Sequence, residues 1–206
     1  MAENFHKAYL TEEEKFQKKM QFLIIADKMK TVYRQTLLAD KSRRETDAEH
    51  SWHLALMAIV LSDYAPEGTD IDKAVRMALV HDLVEIYAGD TFCYDVNAGK
   101  NKRERELKAA DRLFSILPGN EGEEYRSLWL EFDREETREA KFTAALDRLQ
   151  PLINNFLTDG HTWRKGNVPR EMVEKRVALI SEGIPAAKSL VYGILEDSER
   201  KGYFSK

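Results

Sequence analysis

Between residues 79 and 90 the chain reads LVHDLVEIYAGD, which sets His81, Asp82 and Glu85 inside an otherwise apolar segment. Burying an ionised carboxylate among apolar side chains is costly unless a partner compensates it. Two more segments carry the same signature: His50 opens HSWHLALMA, and Asp147 sits in FTAALDRLQPL. Neutral imidazole nitrogens and carboxylate oxygens suit a divalent transition metal. Adjacent helical residues diverge by about 100°, so His81 and Asp82 can both reach an ion set between packed helices. His50 and Asp147 would complete two nitrogens and two oxygens, and the ion would supply the compensation the buried charges need. Glu85 follows His81 by four residues and Asp82 by three, hence on the same face one turn later. That places it to touch a water beside the ion rather than the ion itself. Asp90, just past Gly89 at the helix end, can orient a substrate hydroxyl or another site group. Each residue also has an ordinary reading. The histidines can be hydrogen-bonded core residues, Asp147 can pair with the adjacent Arg148, and Glu85 can be solvated at a helix edge. His6, His53 and His161 take that ordinary reading.

The elements that must position these groups are helices. Only 5 prolines and 10 glycines punctuate the chain, and apolar spacing is helical nearly throughout, without alternating strand patterns. The first helix is expected from Thr11, with Glu14 closing a capping box, along a stripe of Phe16, Met20, Leu23 and Ile24. A charged link, ADKSRRETDAE, leads to a helix from His50, and PEGTD separates this from a third helix running unbroken through IDKAVRMALVHDLVEIYA. The loop GDTFCYDVNAGKN follows, then helices at about 101–117 and 121–132. A long helix across 135–157 contains Pro151, which cannot donate to the Asp147 carbonyl and is expected to kink the helix and help aim Asp147. One or two terminal helices, broken around Gly183-Ile184-Pro185, complete an all-α single domain with a metal site between core helices.

A length of 206 residues and 43% apolar content are sufficient for one core. A formal net charge of −4 gives no reason to expect a nucleic-acid polymer as partner. The single cysteine, Cys93, excludes an internal disulfide framework and fits a reducing compartment. A polar N-terminus without an apolar h-region, and the lack of an 18-residue uncharged apolar run, predict a cytoplasmic protein with no membrane partner.

The order His, then His-Asp, then Asp on successive helices resembles the HD-domain metal-dependent phosphohydrolases, and within them the compact subgroup containing the 5′-deoxynucleotidases. The resemblance runs from about Tyr33 to Leu157, through Val32-Tyr33-Arg34, DAEHSWHLALMA, LVHDLVEIYAGD and EAKFTAALDRLQP. It implies metal ligands at His50, His81, Asp82 and Asp147, a catalytic Glu85 and a site role for Asp90. It also implies an arginine before the first histidine for the substrate phosphate: Arg34, ahead of Arg43 and Arg44. The chain departs from the subgroup at KMKT, where relatives can show an Arg-Trp or similar pair. No histidine lies between residues 82 and 147, which favours one metal ion over two. Ile86 stands where guanosine tetraphosphate hydrolases carry a second acid, and the Gly-Tyr-Pro signature of cyclic di-GMP enzymes is missing. The expected activity is release of phosphate from a (deoxy)nucleoside 5′-monophosphate. It would use one divalent ion (Mn, Co, Zn, Fe or Ni), with Glu85 as general base and Asp90 contacting the sugar. Phe92 and Tyr94 are candidates for the pocket wall, though core packing is the ordinary role for both. The family often forms dimers, so a homodimer is expected. Hydrolysis of another phosphorylated metabolite or a nucleotide second messenger, and a non-catalytic metal- or nucleotide-binding regulator, are the competing readings.

Overall fold

The computed structural model describes residues 10–95 and 98–205; His6, Val96 and Asn97 of the readings above lie outside them. Helix α1 spans Glu12–Ala26, and its capping box between Thr11 and Glu14 forms as the sequence predicts. The expected stripe is not a core face, however. Phe16, Met20, Leu23 and Ile24 are all exposed, and Phe22 is the buried residue of this helix.

The first departure from an all-helical chain lies just before and within the charged link. Strand β1 (Tyr33–Leu37) pairs antiparallel with β2 (Arg44–Thr46), with a register irregularity between Tyr33 and Leu37. The hairpin is short and its connection is not a two-residue Asn-Gly type turn. It closes through Leu38 N–H to the Arg43 carbonyl and through Lys41 at φ 65°, so neither strand alternation nor turn chemistry announced it. Thr46 then caps α2 (Asp47–Val60) in a second capping box with Glu49. Helix α2 therefore begins before His50, and its first turn carries Asp47.

Helix α3 (Ile71–Val80) does not continue to residue 88. The hydrogen bonds change from His81 N–H to the Met77 carbonyl, four residues back, to Leu83 to Val80 and Glu85 to Asp82, three residues back. Residues 81–84 thus form a tightened turn before α4 (Glu85–Ala88), and side chains three apart in such a turn stack above one another. This aligns Asp82 with Glu85. No glycine or proline marks the break. The apolar pattern runs straight across it because Leu83 and Val84 remain core residues.

Helices α5 (Lys102–Phe114) and α6 (Glu121–Arg134) follow, then α7 (Arg138–Leu157), which passes through Pro151 without ending. After it come α8 (His161–Lys165), α9 (Arg170–Val177), α10 (Ile180–Gly183) and α11 (Lys188–Arg200). Helix α7 packs against β1, α2, α3, α6 and every helix from α8 to α11. Two core clusters flank it. One is built on Leu54, Phe142, Leu146, Leu149, Trp163 and Ile180; the other on Phe22, Val80, Leu83, Val84, Leu113, Phe114 and Trp129. The candidate ionisable groups lie along the seam between them.

Candidate functional site

His50 and His81 are brought side by side, with ring centroids 5.4 Å apart and the rings tilted 53° to each other. His50, fully buried on α2, turns Nδ1 to Gln150 Oε1 at 3.1 Å, while Gln150 Nε2 donates to Glu45 Oε1 at 2.6 Å. The acceptor at Nδ1 fixes the proton there, leaving Nε2 bare and 3.1 Å from Asp147 Oδ1. His81 repeats the device with a backbone partner. Its Nδ1 donates to the Ala78 carbonyl at 2.8 Å, and Phe132 lies edge-on at 4.9 Å. Its Nε2 stands 3.1 Å from Asp82 Oδ2 and 3.8 Å from Asp147 Oδ1, with no aligned hydrogen bond to either.

Two imidazole lone pairs facing two carboxylates repel unless a proton or cation lies between them. Without a metal, protons take that place. Burial works to lower His81, but Asp82 and Asp147 carry it up to about 10. Burial likewise works to raise Asp82 and Asp147, yet His81 and Arg34 hold Asp82 below the usual carboxylate range, and the proximity of His50 and His81 holds Asp147 well below it. His50 is lowered by its burial and by Arg34. The donor set and the orphaned His81 Nε2 fit a divalent cation. Ligand atoms of His50, His81 and Asp82 lie within 4.8 Å of one another, and Asp147 Oδ1 adjoins the two histidines, 3.1 Å from His50 Nε2 and 3.8 Å from His81 Nε2.

Glu85 is buried beside this group, and its Oε2 has no hydrogen-bond partner among the described residues. Burial, then Asp82 and Asp47, push it well above the ordinary carboxylate value. Asp47 is wholly buried and is raised to about 7 by burial and by Asp82. Ligand atoms of Asp47, Asp82 and Glu85 also lie within 4.8 Å of one another. Asp90 lines the same cleft and is raised by its burial.

Arg34 reaches inward from β1. Its Nη1 donates to Asp82 Oδ2 at 2.6 Å and lies 3.6 Å from Asp47 Oδ1, and its Nη2 is 3.9 Å from Asp147 Oδ1. The other two arginines considered from the sequence are elsewhere. Arg43 pairs with Glu49 at the start of α2, and Arg44 donates to the carbonyls of Tyr33 and Arg34. Arg148 does not pair with Asp147 as the ordinary reading had it: it turns away to Glu135 and to the Ala144 carbonyl.

Arg34, His81, Asp82, Glu85, Asp90 and Asp147 open into a cleft of about 840 Å³ including its mouth. Phe92 and Tyr94 line it, set edge to face at 5.4 Å, together with Pro151, Trp163, Lys102 and Arg176. Asp47, Glu45, Gln150, Lys102 and Arg176 were not singled out from the sequence. Only Asp47 had a usable signal there, as the first acid of DAEH beside a ligand-type histidine.

Paired helical histidines and aspartates around one buried point, with a carboxylic acid and an arginine beside them, define a helical metal-site protein. The comparisons place it further. The HD domain family model matches residues 26–188, and the chain belongs to that family. It is 46% identical to a predicted metal-dependent phosphohydrolase from Magnetospirillum magnetotacticum MS-1, whose structure superposes with a TM-score of 0.91 over 96% of this chain and 99% of that one. An HD-domain phosphohydrolase from Listeria innocua shares the fold, at 23% identity and a TM-score of 0.62 over 87% of this chain and 88% of that one. The 5′-deoxynucleotidase HDDC2 of Homo sapiens is 31% identical over 135 residues. That stretch is 65% of this chain and 65% of the human protein, just under two thirds of each. No helix among the described residues is long and apolar enough to cross a membrane.

Proposed function

We propose that this chain is a metal-dependent phosphomonoesterase acting on (deoxy)nucleoside 5′-monophosphates. The observation that carries the reading is the convergence at one cleft of the bare Nε2 of His81, carboxylates of Asp82 and Asp147, the unpartnered Glu85 oxygen and the Arg34 guanidinium, with the Nε2 of the fully buried His50 turned to Asp147 behind them. The nucleotidase and phosphohydrolase relatives supply the substrate class. His50, His81, Asp82 and Asp147 would hold one divalent ion, with Mn, Co, Zn, Fe and Ni all compatible with the ligand types. Such an ion supplies Lewis acidity, making a water acidic enough to attack and withdrawing charge from a phosphoryl oxygen.

The protein's own groups do the rest. Glu85 accepts the proton of the attacking water; a neighbouring cation favours the carboxylate form that this role needs. Arg34 neutralises phosphate charge, and its planar fork can hold two oxygens at once. Asp90 contacts the sugar, and Phe92 and Tyr94 form an apolar wall for the base. We place the enzyme in the cytoplasm as a homodimer. Trp52, Leu56 and Ile59 support the dimer: they recur at helical spacing on an exposed face of α2, a pattern typical of interaction surfaces.

The test is phosphate release from a panel of deoxy and ribo 5′-monophosphates by metal-stripped protein, with and without each candidate metal. Metal-dependent release that favours deoxy substrates and is lost in Glu85→Ala is the expected result. A protein that retains tightly bound metal yet releases phosphate from none of them refutes the assignment.

A further inference from the structure

Arg176 reaches the cleft from α9, outside the stretch in which the sequence placed the site chemistry. Asp147 presents Oδ1 to His50, His81 and Arg34, and Oδ2 to Arg176 Nη2 at 3.6 Å. The two arginines therefore flank the same carboxylate on its two oxygens.

Their partnering differs. Arg34 is already committed, with Nη1 hydrogen-bonded to Asp82. Arg148 is tied to Glu135, and Lys102 faces Glu106 at 3.4 Å. Arg170, on the same helix as Arg176, is held by Glu174 and Glu196. Arg176 makes no hydrogen bond among the described residues, and Asp147 is the one carboxylate within ion-pair range of it. A guanidinium carries five N–H donors in a fixed fork. Here they border a cleft, with the side chain only 33% exposed. A group that served solely to balance Asp147 would gain most by closing the 3.6 Å gap to a hydrogen bond.

We infer that Arg176 is a phosphate-binding residue, which with Arg34 clasps the phosphoryl group of a monoester from the two sides of Asp147. The inference rests on the phosphoester reading above and adds a specific anchor to it. A phosphate dianion in this position meets guanidinium donors from β1 and α9 at once, while its ester oxygen and the remainder of the substrate extend towards Phe92 and Tyr94. The preference is for a terminal monoester, because a diester has lost one of the charged oxygens that two arginines can share.

The probe is inorganic phosphate, titrated calorimetrically into the manganese-loaded full chain and into Arg176→Gln and Arg176→Lys. The metal affinity of each is measured by chelator competition. Losing charge-assisted hydrogen bonds should weaken phosphate binding about 10- to 100-fold in Arg176→Gln. Arg176→Lys should recover part of that loss, and metal affinity should stay within about threefold in both. KM for a nucleoside monophosphate should rise by a similar factor. A charge-balancing role predicts the reverse: altered metal affinity with unchanged phosphate affinity, which overturns the inference. Turnover by the wild type separately reports on the activity. A wild type that hydrolyses nucleotides while Arg176→Gln binds phosphate equally well refutes Arg176 alone. Phosphate binding lost in Arg176→Gln, in a protein that hydrolyses no nucleotide, refutes the substrate and leaves Arg176 standing.

Discussion

At the scale of single residues, the informative feature is that both candidate histidine ligands have their tautomer set from behind. His81 uses a carbonyl of its own helix, whereas His50 depends on Gln150, itself held by Glu45. The first arrangement is built into the local backbone. The second is a side-chain chain across 105 residues of sequence and can be cut without touching a ligand. Such outer partners typically contribute 10- to 100-fold in metal affinity. Gln150→Ala is therefore expected to weaken metal binding by about that factor in a chelator competition, with Gln150→Glu restoring much of it because an acceptor returns to Nδ1. Equal metal affinity in wild type and Gln150→Ala would mean that the Glu45–Gln150 chain does not govern His50. The ligand-type residues were legible because each is a polar group stranded in an apolar helical pattern. Gln150, Glu45 and Arg176 were not. Their significance lies in which side chain they meet across packed helices, and one chain's periodicity carries no record of that register.

At the scale of elements, the capping box that starts α2 positions the site as directly as any ligand, since it fixes the turn from which Asp47 and His50 project. Thr46 and Glu49 bond reciprocally, and Arg43 grips the Glu49 carboxylate at 2.9 Å. The bond to Arg43, set against some burial, brings Glu49 from its ordinary 4.5 down to about 2. A carboxylate whose folded-state value is depressed stabilises the fold fully above its unfolded value and loses that contribution as pH falls through the folded value. Glu49→Gln keeps an acceptor for the box but removes the charge. Wild type should therefore exceed Glu49→Gln in stability above about pH 4.5, by less than about 1 kcal/mol for so exposed a pair. The gap should close between pH 4.5 and 2. Paired denaturation curves across that window check this, and a gap independent of pH would rule the ion pair out as its source. The Thr11 capping box is legible in its Thr-x-x-Glu spacing, whereas the Thr46–Glu49 box, with the same spacing, is missed because the helix it starts is expected only from His50. The β1–β2 hairpin and the break at 81–84 could not be read from the sequence. Strand pairing there involves few residues, and the break falls among core residues Leu83 and Val84 with no glycine or proline to mark it.

At the scale of the whole molecule, the site is a joint. Val80, Leu83 and Val84 belong to one core cluster, Leu54, Leu146 and Leu149 to the other; His81, Asp82 and Asp147 are their immediate chain neighbours, and His50 lies one helical turn before Leu54. The segments carrying His50, His81-Asp82 and Asp147 come from α2, the 81–84 turn and α7. An ion bound by all of them would tie the two clusters together in the folded chain and find no such arrangement in the unfolded one. A ligand that binds only the native state stabilises it by about 2.7 kcal/mol when present at 100 times its Kd. For a chain of this size each kcal/mol raises Tm by about 2–4 °C, so saturating a metal-stripped sample should raise Tm by about 5–11 °C. The rise should vanish in His50→Ala and Asp147→Ala, whose metal-free melting points provide the baseline. Arg176→Gln should keep it, because Arg176 is assigned to the phosphate and not to the ion. A rise of the same size in all four proteins would place the stabilising metal elsewhere on the surface. No rise in the wild type with any of the five metals would remove the ion from the joint, leaving protonated His81 and Arg34 as the groups that balance its carboxylates.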